Sequence, residues 1–175
     1  MKKSIYFLFV LAVVAAPQFT QAQDDKTPKR PENIDVSDFD SFKNSSFDIL
    51  DESAKLKTDA TKVDTDVKAY AATISNANLE KLKADYASLR QISKSSKELS
   101  AKIGDLDAKG KALLSSARSV SPRTKSPAAT KNTNASIKGL DVSKKNLEAV
   151  TTLVTADSKL LADELKKRGQ TVEED

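Results

Sequence analysis

Cysteine, histidine and tryptophan are all absent from this 175-residue chain. Without cysteine there is no disulfide, no thiol nucleophile and no lipid-modified cysteine at a processing site, so stability has to come from packing. Without histidine the commonest general base and the imidazole ligands of zinc and copper are missing. A serine nucleophile would need another base, and the Ser-x-x-Lys spacing that sets a lysine over a serine on one helical turn does not occur. Carboxylate pairs such as Asp64 with Asp66 and Asp105 with Asp107 lie two residues apart, a spacing that sends them to different sides of a helix. The stretch from Asp105 to Gly110 copies the start of a calcium loop. It fails at Lys109, a ligand position, and at Ser116, where a bidentate Glu is required. The expectation is no catalytic residue, no metal site and no cofactor.

Large apolar residues are also scarce. Leu, Ile, Val and Phe make up about a fifth of the chain beyond its first 22 residues, near the lower limit for a packed core. With only four glycines and abundant Ala, Ser, Lys, Asp and Leu, the composition favours long helices with narrow apolar seams over a sheet.

What is present begins with a three-part leader. Lys2 and Lys3 precede the apolar run Ile5 to Ala16, which is too short to span a bilayer, and Pro17 and Thr20-Gln21-Ala22 follow as breaker and cleavage signal. The sequence therefore predicts a signal peptide over 1–22, cut near Ala22. The expected product is exported, to the periplasm or the exterior, with no transmembrane segment in the mature chain. Loss of the two leader lysines lowers the formal net charge from +4 to +2.

Residues 23–33, with two prolines and mixed charge, read as a disordered lead-in to a helical domain over 34–169. Helix one is expected over about 35–75, with Asp35 as N-cap and Ile34 and Phe39 as a hydrophobic staple. Its seam runs Ile49, Ser53, Leu56, Ala60, Val63, Val67, Tyr70 and Ile74, a three-four alternation that suits lengthwise packing. Ser75-Asn76-Ala77-Asn78 marks a break, with a bend in one longer helix as the alternative. Helix two is expected over 79–120. Residues 121–134, with two Ser-Pro pairs and no large aliphatic, read as a basic loop. Helix three is expected over 135–168 on Ile137, Leu140, Leu147, Val154, Leu161 and Leu165, with Lys144, Thr151 and Ser158 in the intervening slots. It ends at Lys166-Lys167-Arg168-Gly169, before a polar tail over 170–175. The fold expected is all-α: an elongated antiparallel three-helix bundle of coiled-coil-like helices. The same seams could also serve self-association.

Charge is unevenly placed. Residues 32–66 hold ten acidic residues against four lysines. Between Asp107 and Asp141 there is no acidic residue, but Lys109, Lys111, Arg118, Arg123, Lys125, Lys131 and Lys138. An up-down-up bundle brings these regions to one end, where opposite charges would pair across helices and help fix the topology, each exposed pair contributing about 0–1 kcal/mol. The other reading is that these cations meet an anionic surface. Nucleic acid is disfavoured, since the loop has no aromatic for stacking. Phe39, Phe42 and Phe47 either cap the bundle end or present an apolar patch to a partner. The functional expectation is an exported, non-enzymatic helical protein acting by protein–protein contact, as an envelope spacer or interaction module whose partner the sequence does not name. A periplasmic holdase-like chaperone is the alternative. N-terminal sequencing of protein recovered after export should begin at Gln23; an intact Met1 would refute the leader.

Overall fold

The computed structural model describes residues 27–173, so the leader expected over 1–22 and residues 23–26 lie outside the described residues. Three long helices carry most of what is described: α1 (Ser37–Ala71), α2 (Leu79–Ser116) and α3 (Ser126–Lys167). No strand occurs among the described residues. At 1.5 Å per residue the helices are about 50–60 Å long. They run up, down and up: Gly110 of α2 faces Phe42 of α1 and Ile137 of α3, while Asn146 of α3 bonds Ser53 of α1 and Lys144 bonds Asp107 of α2.

The core forms two apolar clusters in line. One gathers Phe39, Phe42, Ile49, Leu99, Ile103, Leu113 and Leu140; the other gathers Ala60, Val67, Leu82, Leu89, Ile92, Val150, Val154 and Leu161. Leu56 touches both, and the buried serines Ser53 and Ser96 interrupt the seams of α1 and α2 near their junction. Small hydroxyl residues make up for scarce aliphatics because they satisfy themselves within their own helix. Ser46 donates to the Phe42 carbonyl, Thr133 to Ala129, Ser136 to Asn132 and Ser143 to Gly139, each at 2.8–2.9 Å. Their burial thus strands no polar group, and their small volume lets the helices approach closely.

Several expectations need correction. Helix α3 starts at Ser126, so residues 126–134 are helical and the connection shortens to 117–125, which holds two short 3-10 turns. Pro127 sits in the first turn, where a missing amide costs nothing, and Ala129, Asn132, Thr133 and Ser136 supply the buried face that large aliphatics were expected to supply. The slots between the heptad leucines of α3 are Ser143, Val150, Asp157 and Glu164, all buried, and not Lys144, Thr151 and Ser158. Helix α1 starts at Ser37 after Val36, not at an Asp35 cap. Asp35 takes a left-handed φ of 55°, and Asp40 instead accepts from the Ile34 and Val36 amides.

The lead-in has no regular structure over residues 27–33, yet it is fastened to the bundle. Arg30 reaches Asp48 and Asp51 and lies over the Phe47 ring, Lys43 donates to Asn33, and Asn132 donates to the Glu32 carbonyl. At the other end of the bundle Asn78 caps α2 by accepting from the Glu80 and Lys81 amides. The half-buried Arg168 bonds Glu164 on its own helix and the carbonyls of Ile74 and Ala77 in the α1–α2 turn. Gly169, at φ 71°, closes α3: its amide bonds the Lys166 carbonyl, and that of Gln170 the Leu165 carbonyl. The tail beyond is engaged too, with Val172 on the core, Arg90 paired to Glu173 and the Tyr86 hydroxyl donating to the Glu173 carbonyl.

Two glycines of α2 separate packing from propensity. A Cβ on Gly110 would stand 2.7 Å from Phe42 Cζ and 3.2 Å from Ile137 Cγ1, whereas one on Gly104 meets nothing within 4 Å. Gly110→Ala should lower stability by about 1–3 kcal/mol through overpacking. Gly104→Ala should raise it by about 0.5–1 kcal/mol through helix propensity. Thermal unfolding followed by circular dichroism checks both, and equal shifts of one sign would contradict the packing at Gly110.

Candidate functional site

The aromatic candidates are interior. Phe42 is fully buried, Phe39 and Phe47 are nearly so, and Phe39 and Phe42 belong to the first core cluster. They seal the end of the core and offer no patch to a partner. Seen in the sequence alone, three aromatics at the start of a helix fit either role. The docked lead-in, with Arg30 over Phe47, helps decide for burial.

The seven basic residues do come together at one end of the bundle. Lys109 and Lys111 lie on the last turns of α2, Arg118 and Arg123 in the connection, Lys125 just before α3, and Lys131 and Lys138 on its first turns. Six are exposed; Lys125 is half-buried and donates to the Asp35 carbonyl at 3.2 Å. The expected charge pairing is not found. None of the seven forms an ion pair with a described residue, although Glu32, Asp35 and Asp38 stand exposed at the same end on the α1 side. The cross-helix pairs that do exist lie elsewhere, as Lys81 with Asp66 and Lys144 with Asp107. Long flexible cations on outward helix faces gain little by reaching for exposed carboxylates. The result is an end with a basic α2–α3 edge and an acidic α1 edge.

The other half of the bundle buries acidic side chains that seam analysis did not place inside. Asp64, Asp85, Asp157 and Glu164 are all less than a tenth exposed. Three have partners: Lys68 Nζ lies 2.8 Å from Asp64, the Tyr70 hydroxyl donates to Asp85 at 2.8 Å, and Arg168 Nε donates to Glu164 at 2.8 Å. Asp157 is different, since its Oδ2 is buried with no hydrogen-bond partner. Burial first, and then the charge of Asp64, raise the Asp157 pKa above the ordinary carboxylate value, against a smaller opposing pull from Lys68. Tyr70 is also raised, by burial and then by its bond to Asp85. Among the described residues no three acidic side chains gather where they could hold a metal ion. The alternating slot of α3 was the signal that could have found Asp157 and Glu164, had Val150 been used to set it.

A groove of about 500 Å³ is open and runs between α2 and α3 over Ile103 and Leu147, with Asp107 and Lys144 paired across it. No described helix is long and apolar enough to cross a membrane. Compared with protein-family models, with curated proteins and with solved structures, the chain finds no match.

A raised carboxyl pKa in the folded state means that protonation favours folding. The contribution of Asp157 is fully present below its unfolded pKa and is lost as pH rises through the higher folded value. Asp157→Asn should therefore flatten the fall in stability with rising pH across that window and should stabilise the protein at neutral pH by about 1 kcal/mol. Urea unfolding at a series of pH values measures this, and an unchanged slope would show that Asp157 is solvated in the folded state.

Proposed function

We propose that the protein is a non-catalytic helical module that works by surface contact, as a spacer or interaction module of the cell envelope reached through its leader. The observation that supports this reading most is the form of the core. Scarce apolar residues line one long internal core, which gives a slender rod with Phe39, Phe42 and Phe47 buried and an open groove along α2 and α3. Such a shape suits separating or bridging other components, and the α2–α3 groove is open where substrate binding favours a deep pocket with converging polar groups. The holdase alternative, which would hold clients by apolar helix faces and basic charge, draws less support, because the apolar faces are packed into the core and only the basic charge is exposed.

Photocrosslinking in the producing cell tests the contact reading. A crosslinkable residue placed singly at exposed Lys55, Ala108 and Thr152 samples α1, α2 and α3. A discrete adduct confined to one helix is the expected outcome. Absence of any adduct from all three positions, with the protein folded and exported, would count against a contact function.

A further inference from the structure

Among the described residues the basic end is a strongly charged surface whose cations take part in no ion pair. It combines three features. The exposed cations Lys111, Arg118, Arg123 and Lys131 flank or occupy one tight connection, no carboxylate among the described residues pairs with them, and the acidic residues at the same end sit on a different edge, along the start of α1. We infer that the tip formed by the α2–α3 connection docks onto an anionic phospholipid surface, with the bundle held by its α2–α3 edge and the α1 edge turned away. The inference goes beyond the contact reading above, adding a lipid contact at the tip to the contact made by the flanks of the rod.

Reach along the helix axis supports it. Arg118 and Arg123 are in the connection itself, and Lys111 and Lys131 each lie five residues from the adjoining helix end, about 7–8 Å back from the tip. That is about one Debye length at physiological ionic strength, so these four cations feel a surface that the tip touches. Lys138, twelve residues into α3, stands about 18 Å back and should contribute little. Asp35 and Asp38 would be repelled, which fixes the orientation. No aromatic residue lies between Asp107 and Asp141 to stack on bases, and none of the described helices can insert across a bilayer, so a peripheral electrostatic contact fits the chemistry better than nucleic-acid binding or insertion.

Vesicle co-sedimentation of the exported protein tests this, using mixed phosphatidylglycerol–phosphatidylcholine vesicles against phosphatidylcholine alone. Each cation near an anionic bilayer raises partitioning by about fivefold, so the exposed-residue variant Arg118→Gln/Arg123→Gln/Lys131→Gln should lose about a hundredfold. A control, Lys55→Gln/Lys57→Gln on α1, should bind as wild type. All proteins share the same N-terminus, so any contribution of the leader region cancels, and circular dichroism verifies that each is folded. Binding that fades with added salt and with the triple substitution supports the proposal. Equal binding to both vesicle types, or an undiminished triple variant, overturns it. Release by inorganic phosphate at low concentration, or tighter binding to duplex DNA than to vesicles, also overturns it in favour of a free anion or a nucleic-acid partner. Failure here leaves the photocrosslinking result standing, so the lipid assignment and the contact reading can fail separately.

Discussion

The bundle depends on one column of side chains along α3. Leu140, Leu147, Val154 and Leu161 recur every seven residues and are all buried, and α3 is the helix that both other helices pack against along their length. A seven-residue spacing holds one stripe on the inward side of a helix more than forty residues long, with only a slow drift around its axis. Each leucine or valine of that stripe contributes about 1.5–3 kcal/mol by leaving water. The positions between them can then be serine, asparagine, threonine or even carboxylate. The two-cluster core follows from this economy: α1 and α2 supply apolar partners at the two ends of the column and serine near its middle.

The same column explains what could be read in advance and what could not. Heptad positions were legible, because large aliphatics spaced by seven fit either alternation of threes and fours. The slots between them were ambiguous. Steps of four then three bury Lys144, Thr151 and Ser158, whereas steps of three then four bury Ser143, Val150, Asp157 and Glu164, and the structure takes the second. Between Leu140 and Leu161, Val150 is the only aliphatic that tells the two apart, while Ile137 and Leu165 beyond them fall on the first pattern, and choosing Val150 commits the helix to burying two acids. An argument from hydrophobicity alone resists that choice. It becomes acceptable only once Arg168 is seen to partner Glu164, a tertiary fact that also ties in the α1–α2 turn. The start of α3 was hidden for a related reason. Its first turns bury alanine, asparagine, threonine and serine, which carry no apolar signature and look like a loop beside two prolines.

Of the candidate site, the positions of the seven cations were legible and their state of pairing was not. Linear charge blocks show which residues share an end of the bundle, but pairing depends on which way each side chain leaves its helix. Lys131 and Lys138 are both exposed, on the side of α3 away from the buried Ala129, Thr133, Ser136 and Leu140. Adjacency of charge blocks is therefore weak support for complementarity. The cation that does bridge helices beside this region, Lys144, is only half-exposed, and its pKa is raised chiefly by its bond to Asp107. A partly desolvated position holds an ion pair better than a fully wet one, since water and salt compete less for each charge.

The two ends of the bundle are finished by opposite means, and that asymmetry bears on function. At the α1–α2 turn, charge is consumed internally: Arg168 satisfies two carbonyls and a buried carboxylate, Lys81 lies between Asp66 and Asp85, and the tail folds over Tyr86 and Arg90. At the α2–α3 connection the apolar groups are sealed as thoroughly, by Phe39, Phe42 and Val120, and Arg30 and Lys125 fasten the segment before α1, but Lys111, Arg118, Arg123 and Lys131 are left in water. A rod needing only stability would gain by treating both ends alike, because unpaired like charges at one tip repel each other. Repulsion among exposed charges is mild at physiological salt, so the fold can tolerate it. Tolerated but unneeded for folding, a solvated basic tip is compatible with the proposed lipid contact, in which an approaching anionic surface would replace the counterions that screen it.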